Sequence, residues 1–225
     1  MSYLLTKIGW TRQKPRRRAS QRNQAAIKAW ETNQPVVEQK AEEAGQTLVF
    51  GDEAGFSLRS AVVSTYAPTG QTPVLEVPLT YDRLSVMGAL ANTGELLTTT
   101  QAHPVKGPDL VRFLKHVLTH IPGDSLFIWD GLPAHRSQPV KDFLATPAAN
   151  RLTLLQLPAY APDLNPQEGL WRYLKYVELA NVCSPDLPQL RLELRRAIQR
   201  VRSHLDVLFG CLRQVHYSVA NSITG

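Results

Sequence analysis

Hydrophobic positions along the chain predict short strands from Gln46 onwards. Runs rich in Val, Ile, Leu, Phe and Thr alternate there with polar turns. The predicted strands cover residues 47–50, 61–66, 83–91, 95–100, 125–129 and 152–157. The turn Asn92-Thr93-Gly94 favours an antiparallel meander between two of them. The runs 125–129 and 152–157 are apolar almost throughout, which is typical of strands buried on both faces.

Apolar residues at three- and four-residue spacing predict helices between and after these strands. The predicted helices cover residues 3–10, 20–32, 36–44, a segment opened by Pro108, 138–145, a segment opened by Asn165-Pro166, and 187–208. This order of elements predicts a three-layer α/β fold with a mixed central sheet flanked by helices. We expect residues 46–225 to form this domain and residues 1–45 to form a basic helical arm, too poor in apolar residues to fold alone.

Charge is distributed unevenly along the chain. Residues 1–30 hold eight Lys and Arg residues and no acid, whereas the remainder holds 17 basic and 19 acidic residues. A basic arm beside a slightly acidic body is typical of a protein that contacts DNA phosphates next to a carboxylate-based active site. A solvated tail is the alternative. The arm residues predicted to contact DNA are Lys14, Arg16, Arg17, Arg18 and Arg22.

Other features of the sequence exclude a membrane protein. No apolar run approaches the roughly 18 residues that a membrane span requires. The first 20 residues lack the apolar stretch and cleavage site of a signal peptide. Cys183 and Cys211 match neither a CxxC pair nor a disulfide framework, so we interpret them as buried or incidental thiols. We therefore expect a cytoplasmic protein without membrane contacts.

Three acidic residues lie where predicted strands end or a helix begins. Asp52 follows the strand 47–50, Asp130 follows the strand 125–129, and Glu168 lies in the first turn of a helix. Two strand-end carboxylates and a third carboxylate from a helix are suitable ligands for two Mg²⁺ ions that catalyse phosphoryl transfer. A single Asp at a strand end is more often a turn or cap residue, so the hypothesis depends on all three acids together.

The segment 157–171, LPAYAPDLNPQEGLW, carries most of this inference. Its three prolines fix the backbone before the helix, so that Glu168 has a set position in the first turn. Asn165 is predicted to cap this helix, with a DNA contact as the alternative. Trp171 and Tyr173 are predicted to lie in the core, with stacking on bases as the alternative.

Several other polar residues have two interpretations. Glu53 follows Asp52 and should point to the opposite face of the strand, which favours a structural role. His135 lies five residues after Asp130 and either contacts a phosphate or the metal site or is a local hydrogen-bond partner. Arg136 is a further predicted DNA contact. The last helix carries arginines that either contact DNA phosphates or form a solvated face, namely Arg191, Arg195, Arg196, Arg200 and Arg202.

The sequences around the three acids resemble the DDE transposases of the mariner-like superfamily, in particular its bacterial insertion-sequence branch. The similar segments are 50–56 (FGDEAGF), 129–137 (WDGLPAHRS) and 157–171. Between Asp130 and Glu168 lie 37 residues, a spacing similar to that of the branch. The segment 8–15 (IGWTRQKP) resembles the junction between the helix-turn-helix region and the catalytic domain of the family.

This resemblance implies a ribonuclease-H-like fold and a site in which Asp52, Asp130 and Glu168 bind two Mg²⁺ or Mn²⁺ ions. It implies cleavage of DNA strands at transposon ends by activated water, then attack of the 3′-hydroxyl on target DNA at a TA dinucleotide. The implied partners are double-stranded DNA, a second copy of the chain on that DNA, and the product of an upstream helix-turn-helix reading frame. The implied location is the bacterial cytoplasm, at the nucleoid when the protein is bound to DNA.

The chain departs from the pattern of this family in two ways. Asn commonly follows the second acid, whereas this chain has Gly131, which predicts a lost contact and reduced activity. The N-terminal DNA-binding domains of the family are expected to be missing, because the chain begins near the last helix of that region. Two alternatives remain open at this point: a ribonuclease-H-like nuclease without strand transfer, and an inactive DNA-binding remnant of a transposase.

Overall fold

A five-stranded mixed sheet forms the centre of the molecule. The structure is a computed structural model that describes residues 2–11, 13, 19–131 and 133–220. The strands are β1 Thr47–Ser57, β2 Arg83–Ala91, β3 Leu96–Gln101, β4 Ser125–Trp129 and β5 Leu152–Gln156. Their order across the sheet is β3-β2-β1-β4-β5, in which β1, β2 and β3 form an antiparallel meander and β4 and β5 run parallel to β1. The predicted mixed sheet and meander are confirmed.

Helices cover both faces of the sheet. In the described part of the chain the α-helices are α1 Ser2–Lys7, α2 Gln24–Glu43, α3 Gly107–His120, α4 Gln138–Leu144, α5 Pro166–Tyr173, α6 Leu187–Arg202 and α7 Leu205–Gln214. One face packs against α3 and α4 through side chains such as Phe113 and Val140. The other packs against α2, α5, α6 and α7, where Ile27, Leu170 and Leu194 share one core. The three predicted layers are therefore present.

The helix α3 shows how the sequence pattern produces a layer. The apolar residues that recur at helical spacing are all buried against the sheet, namely Leu110, Phe113, Leu114, Val117 and Leu118. Burying each such side chain contributes about 1.5–3 kcal/mol relative to leaving it exposed. At the start of the helix, the carboxylate of Asp109 accepts a hydrogen bond of 3.0 Å from the backbone N–H of Lys106. The spacing of the apolar residues and the capping hydrogen bond therefore indicate the same helix.

The helix α2 is continuous, although the sequence predicts two helices, 20–32 and 36–44. Pro35 lies inside it and lacks the N–H that would bond to the preceding turn. Packing offsets this loss, because Ile27 and Ala41 are buried in the core and Gln34 donates a 3.2 Å hydrogen bond to the carbonyl of Val215. The second half of the predicted arm thus packs against the body of the protein. A domain boundary at residue 46 stays a prediction.

The predicted helix 187–208 is wrong, because the chain forms two helices there. The first, α6, ends at Arg202, and α7 begins at Leu205. Between them the hydroxyl of Ser203 donates a 2.6 Å hydrogen bond to the carbonyl of Arg200. The backbone N–H of Ser203 bonds to the same carbonyl, at 3.1 Å. Side-chain bonding of this kind competes with the helical backbone ladder and favours a break.

Three strand predictions are also corrected by the structure. The strand β1 continues through Gly55 to Ser57, because β2 pairs with it over its whole outer half, and Asp52 therefore lies inside β1 rather than at its end. Residues 61–66 form no strand, since the side chain of Asn181 bonds to both the N–H and the carbonyl of Val63. The strand β5 is an edge strand with exposed positions rather than a buried one, because among the described residues only β4 pairs with it.

No helix in the described ranges is long and apolar enough to cross a membrane.

Candidate active site

The register of the sheet brings Asp52 and Asp130 to the same level. The strands β1 and β4 pair in parallel up to Phe50, which lies opposite Ile128. Asp52 and Asp130 each come two residues after these partners. Neighbouring strands are about 4.8 Å apart. Asp52, inside β1, and Asp130, directly after β4, therefore lie at the same level, just past the point where the parallel pairing of the two strands ends.

The first turn of α5 is tied to β1 directly beside Asp52. Asn165 caps the helix, as predicted, because its Oδ1 accepts a 3.1 Å hydrogen bond from the N–H of Gln167. Its Nδ2 donates to the carbonyl of Gly51 at 3.1 Å, and the side-chain amide of Gln167 donates to the carbonyl of Phe50 at 3.1 Å. Both amide side chains are buried. Glu168 lies in this turn, so its backbone has a defined position relative to Asp52.

Trp171 links the same helix to the first acid. Its indole Nε1 donates a hydrogen bond of 2.9 Å to Oδ2 of Asp52. The ring is buried, as predicted, and meets Phe56 edge-on with centroids 6.0 Å apart. It lies so close to Gly88 that a Cβ at that position would be 2.5 Å from the ring. Trp171 is therefore a core residue that also orients the Asp52 carboxylate, a contact that sequence reasoning missed.

The three acids influence one another electrostatically. Burial raises the pKa of Asp52 to about 8, and the negative charges of Glu168 and Asp130 act in the same direction. The pKa of Glu168 is also raised, first by desolvation and then by Asp130, while Lys175 acts in the opposite direction. Like charges that disfavour each other's ionisation mark a site with uncompensated negative charge. A cation bound between these groups would relieve that repulsion.

The chemistry of these donors fits a divalent metal ion. Carboxylate oxygens are the ligands that Mg²⁺ and Mn²⁺ prefer in proteins. One oxygen of Asp52 is already bound to Trp171, which leaves Oδ1 free of that contact. In the part of the chain that the structure describes, no group of three or more Asp, Glu, His or Cys side chains is close enough to enclose an ion as it stands. The carboxylate donors therefore suit a metal site, although these side chains, as they stand, are too far apart to enclose an ion.

His135 joins the loop of the second acid to β1. Its Nδ1 lies 2.7 Å from the carbonyl of Asp130, and its Nε2 lies 3.2 Å from Oε1 of Glu53. The ring stacks on Trp129 with centroids 3.9 Å apart. Burial opposes protonation, but Glu53 and Asp130 together raise the pKa of His135 above its ordinary value. Of the two interpretations, this geometry favours the local hydrogen-bond partner, and it gives Glu53 a structural contact.

An open cleft of about 540 Å³ lies beside Glu168. Two cations from the same stretch of helix line it, Arg172 and Lys175. Lys175 lies in a single turn of π-helix, Leu174–Glu178, that follows α5, and its Nζ is 5.2 Å from the centre of the Phe56 ring. Such π-turns occur frequently at functional sites. Sequence analysis did not select these two residues, although both follow Glu168 within two turns.

Residues 47–191 match the model of the DDE superfamily endonuclease family. The chain belongs to this family. Residues 1–34 match a second family model, the winged helix-turn-helix. No curated protein matches the chain by sequence.

Solved structures show that the chain has a ribonuclease-H-like fold. It is similar to a chain of the Mos1 strand transfer complex, with a TM-score of 0.68 and 16% identity over 95% of this chain and 65% of that chain. The Mos1 transposase paired-end complex with the left transposon end gives 0.62 and 16%, over 96% and 70% of the two chains. The catalytic domain of Mos1 mariner transposase gives 0.52 and 13%, over 92% and 99%. The fold predicted from the sequence is confirmed.

Gly131, which stands where the resemblance leads us to expect Asn, faces Gln156 of β5. A Cβ built on Gly131 would overlap the end of the Gln156 side chain. The Gln156 amide therefore occupies the space into which a side chain at position 131 would project. Because Gln156 is exposed and flexible at its end, it is able to move aside. The absence of a side chain at position 131 thus gives room to the Gln156 amide, which lies close to the second acid.

The basic residues predicted to contact DNA differ in their surroundings. Arg22 binds both carboxylate oxygens of Asp163, at 2.5 and 2.6 Å, and its side chain is 11% exposed. This ion pair connects the arm to the loop before α5. It engages the guanidinium of Arg22, which the sequence predicted to contact a DNA phosphate. Arg136 is exposed and donates to the carbonyl of Gly131 at 3.2 Å, next to the second acid. The remaining four lie outside the described residues, namely Lys14, Arg16, Arg17 and Arg18.

Proposed function

We propose that this chain is the catalytic part of a DNA transposase, which cleaves strands at transposon ends and joins the 3′-hydroxyl to target DNA. One observation carries the proposal. Side chains of α5 and of its N-cap Asn165 bind three consecutive residues of β1, ending at the Asp52 carboxylate itself. Satisfied buried hydrogen bonds of this kind make the structure rigid, so they fix the helix that carries Glu168 relative to the strand that carries Asp52.

The proposed metal ligands are Asp52, Asp130 and Glu168. Divalent ions held there would activate water and stabilise the attacking and leaving oxygens of phosphoryl transfer. Their donor chemistry supports this assignment, as do the raised pKa values of Asp52 and Glu168. Complexes of Mos1 mariner with Mg and with Mn are described for that protein, in keeping with the same choice of ions.

The other residues of the site position these acids and bind DNA. Trp171 binds Oδ2 of Asp52 and so orients this carboxylate. His135 ties the backbone of Asp130 to Glu53 and so limits the motion of the loop that carries the second acid. Arg172 and Lys175 line the cleft beside Glu168, where they are placed to bind the phosphates that flank the cleaved bond.

We propose double-stranded DNA as the partner, with two copies of the chain acting on two transposon ends. The titles of the Mos1 structures name a paired-end complex and a strand transfer complex of that transposase. The winged helix-turn-helix match over residues 1–34 supports DNA binding by the arm. Joining of ends requires two ends in one complex, and a homodimer on DNA supplies one active site for each.

The test compares the full chain with two single variants. Asp130→Asn removes a proposed metal ligand, and Asp142→Asn is the matched control, because Asp142 is an exposed residue of α4. The substrates are a supercoiled plasmid and pre-cut duplexes that end in a 3′-hydroxyl and carry the inverted repeats flanking the gene. The measurements are nicking and joined product with Mn²⁺ and with EDTA.

We expect metal-dependent nicking and joined product from the unmodified chain and from Asp142→Asn. Asp130→Asn should lose at least about 100-fold of both, because a proposed metal ligand is replaced by a neutral amide. Nicking without joined product would identify a ribonuclease-H-like nuclease instead. No product from the unmodified chain would identify an inactive remnant. Unchanged nicking by Asp130→Asn would show that the site is assigned wrongly.

A further inference from the structure

A second basic region lies at the free edge of the sheet. Three arginines of α6, here called the edge-strand arginines, are Arg191, Arg195 and Arg202. They line a cavity of about 410 Å³ next to the edge strand β3, together with the side chains of Thr98 and Thr100. Every lining residue is a cation or neutral, since the remaining two are Ile198 and Gln199.

The arginines of α6 fall into two groups according to their partners. Arg196 and Arg200 pair with acids, Glu193 at 3.3 Å and Glu178 at 2.6 Å. By contrast, the edge-strand arginines have no carboxylate partner within the described residues. The positive charge of this second group is therefore uncompensated.

Two of the edge-strand arginines bind neutral backbone groups of β3. Arg191 donates to the carbonyl of Thr100 at 3.0 Å, and Arg202 donates to the carbonyl of Leu96 at 2.9 Å. These bonds cover part of an exposed strand edge, which protects it from pairing with other chains. A guanidinium has five N–H donors, however, and most of those on Arg191 and Arg202 remain available. Protection of the strand edge does not explain Arg195, because the side chain of Arg195 is exposed and forms no hydrogen bond to a described residue.

The cavity lies on the same face of the sheet as the acids but apart from their cleft. Asp52 pairs with Gly88, and Gly88 pairs with Thr98, so Thr98 is two strands away from Asp52, or about 10 Å. Leu96 and Phe50 belong to one core, and alternation along the strands puts Thr98 on the face of Asp52. The cavity shares no lining residue with the cleft beside Glu168.

We propose that the edge-strand arginines form a second DNA contact, which binds backbone phosphates independently of sequence. Planar guanidinium groups bind phosphate oxygens in pairs, and the hydroxyls of Thr98 and Thr100 add neutral donors. A neighbouring cavity shares Thr100 and Arg191 and is also lined by Arg112, which pairs there with the carboxylate of Asp109. This inference rests on the proposed function for the identity of the ligand as DNA, which is either a transposon end or the target.

The test uses Arg195→Gln in the full chain, with Arg196→Gln as the matched control. Each variant removes one exposed charge from adjacent positions of one helix, but only Arg195 lines the cavity. Binding to a duplex of arbitrary sequence is measured by fluorescence anisotropy between 50 and 200 mM salt. Each phosphate contact contributes about 0.9 to the slope of log K against log salt.

We expect Arg195→Gln to reduce this slope by about 0.9 and Arg196→Gln to leave it unchanged. Equal slopes for the two variants, whether both are unchanged or both are reduced, would overturn the proposal. Thermal unfolding of both variants checks that the fold is retained. Adding Arg202→Gln to Arg195→Gln should lower the slope further if the arginines act as one site.

Two further measurements identify the DNA and separate this inference from the proposed function. For Arg195→Gln we measure two activities: binding of a pre-cut transposon end and capture of a separate target duplex. The activity that weakens identifies which of the two DNAs occupies the cavity. A loss in neither would overturn the proposal. The salt slope is independent of catalysis, so unchanged nicking by Asp130→Asn would defeat the proposed function and leave the arginine site standing.

Discussion

The indole Nε1 of Trp171 donates a 2.9 Å hydrogen bond to Oδ2 of Asp52, across 119 positions of the sequence. Trp171 lies one helical turn after Glu168 on α5. A single short helix thus carries one acid of the proposed site and the donor that orients another. Any shift of α5 against β1 would move both acids, so the packing of this helix determines the geometry of the site.

Replacing Trp171 with Phe tests this role. Phe retains an aromatic ring beside Gly88 and Phe56 but removes the N–H donor. We expect metal-dependent cleavage to fall about 10–100-fold, the usual effect of losing a group that orients a metal ligand. The matched control is Trp30→Phe, at a tryptophan of α2. This variant removes a 3.2 Å hydrogen bond from the indole N–H of Trp30 to the hydroxyl of Tyr217. Equal losses of cleavage in both variants would show a general packing effect instead.

Metal binding should depend on pH in a direction set by Asp52. Its pKa in the metal-free fold is about 8, against about 3.9 in an unfolded chain. The protonated form therefore stabilises the fold fully below about pH 4, and this contribution is lost as the pH rises towards 8. A metal ion competes with the same proton.

We accordingly expect Mn²⁺ to raise the melting temperature of the chain more at pH 8.5 than at pH 6.5. Differential scanning fluorimetry with Mn²⁺ and with EDTA measures this difference. In Asp52→Asn, which has no titrating group at this position, the pH dependence of the metal-induced shift should be much smaller. An equal metal-induced shift at both pH values in the unmodified chain would contradict the assignment of Asp52 as a ligand.

Two glycine substitutions should have opposite effects on stability. Ala at Gly88 would place a Cβ 2.5 Å from the Trp171 ring, and overpacking of this kind costs about 1–3 kcal/mol. Ala at Gly210, on α7, meets nothing within 4 Å and should stabilise the fold by up to about 1 kcal/mol through helix propensity. Urea unfolding of both variants measures the two free energies. A neutral Gly88→Ala would mean that Trp171 moves freely, contrary to its buried position.

Asp109 should contribute stability that disappears in acid. Burial alone would raise its pKa, but hydrogen bonds from Lys106, Gln101 and Arg112 lower it below the ordinary value. The stabilisation is therefore present above the unfolded pKa of about 3.9 and is lost as the pH falls through the lower folded value. Asp109→Asn should destabilise the fold by about 1–3 kcal/mol at pH 7. Chemical unfolding at pH 7 and pH 3 should show the difference from the unmodified chain narrowing in acid, whereas the exposed Asp142→Asn should change little at either pH.

The sequence predicted those elements whose patterns are local. Strand β2 has the predicted bounds, and α3 buries the predicted apolar positions, because spacing along consecutive residues is enough to define a strand or a helix face. The cap at Asn165 was predicted for the same reason, since it bonds to a residue only two positions away. The fold class followed from the order of these elements.

Elements that depend on distant partners were predicted less well. The strand β1 extends past Gly55 because β2 pairs with it, and residues 61–66 form no strand because Asn181 takes their backbone groups. The continuous α2 is held by contacts with residues near Val215, more than 180 positions away. Local pattern contains no information on which distant residue will satisfy a given backbone group.

The sequence by itself determined the charge of the arm and predicted both the three acids as site residues and the helix that carries Glu168, because these depend on residue type and spacing. Only the tertiary structure decided that Trp171 orients Asp52, that His135 joins Glu53 to the second acid, and that Arg22 is bound by an acid. It also divided the arginines of α6 into paired and unpaired groups. Each of these outcomes depends on which side chains meet across the folded sheet, and packing rather than sequence order sets those distances.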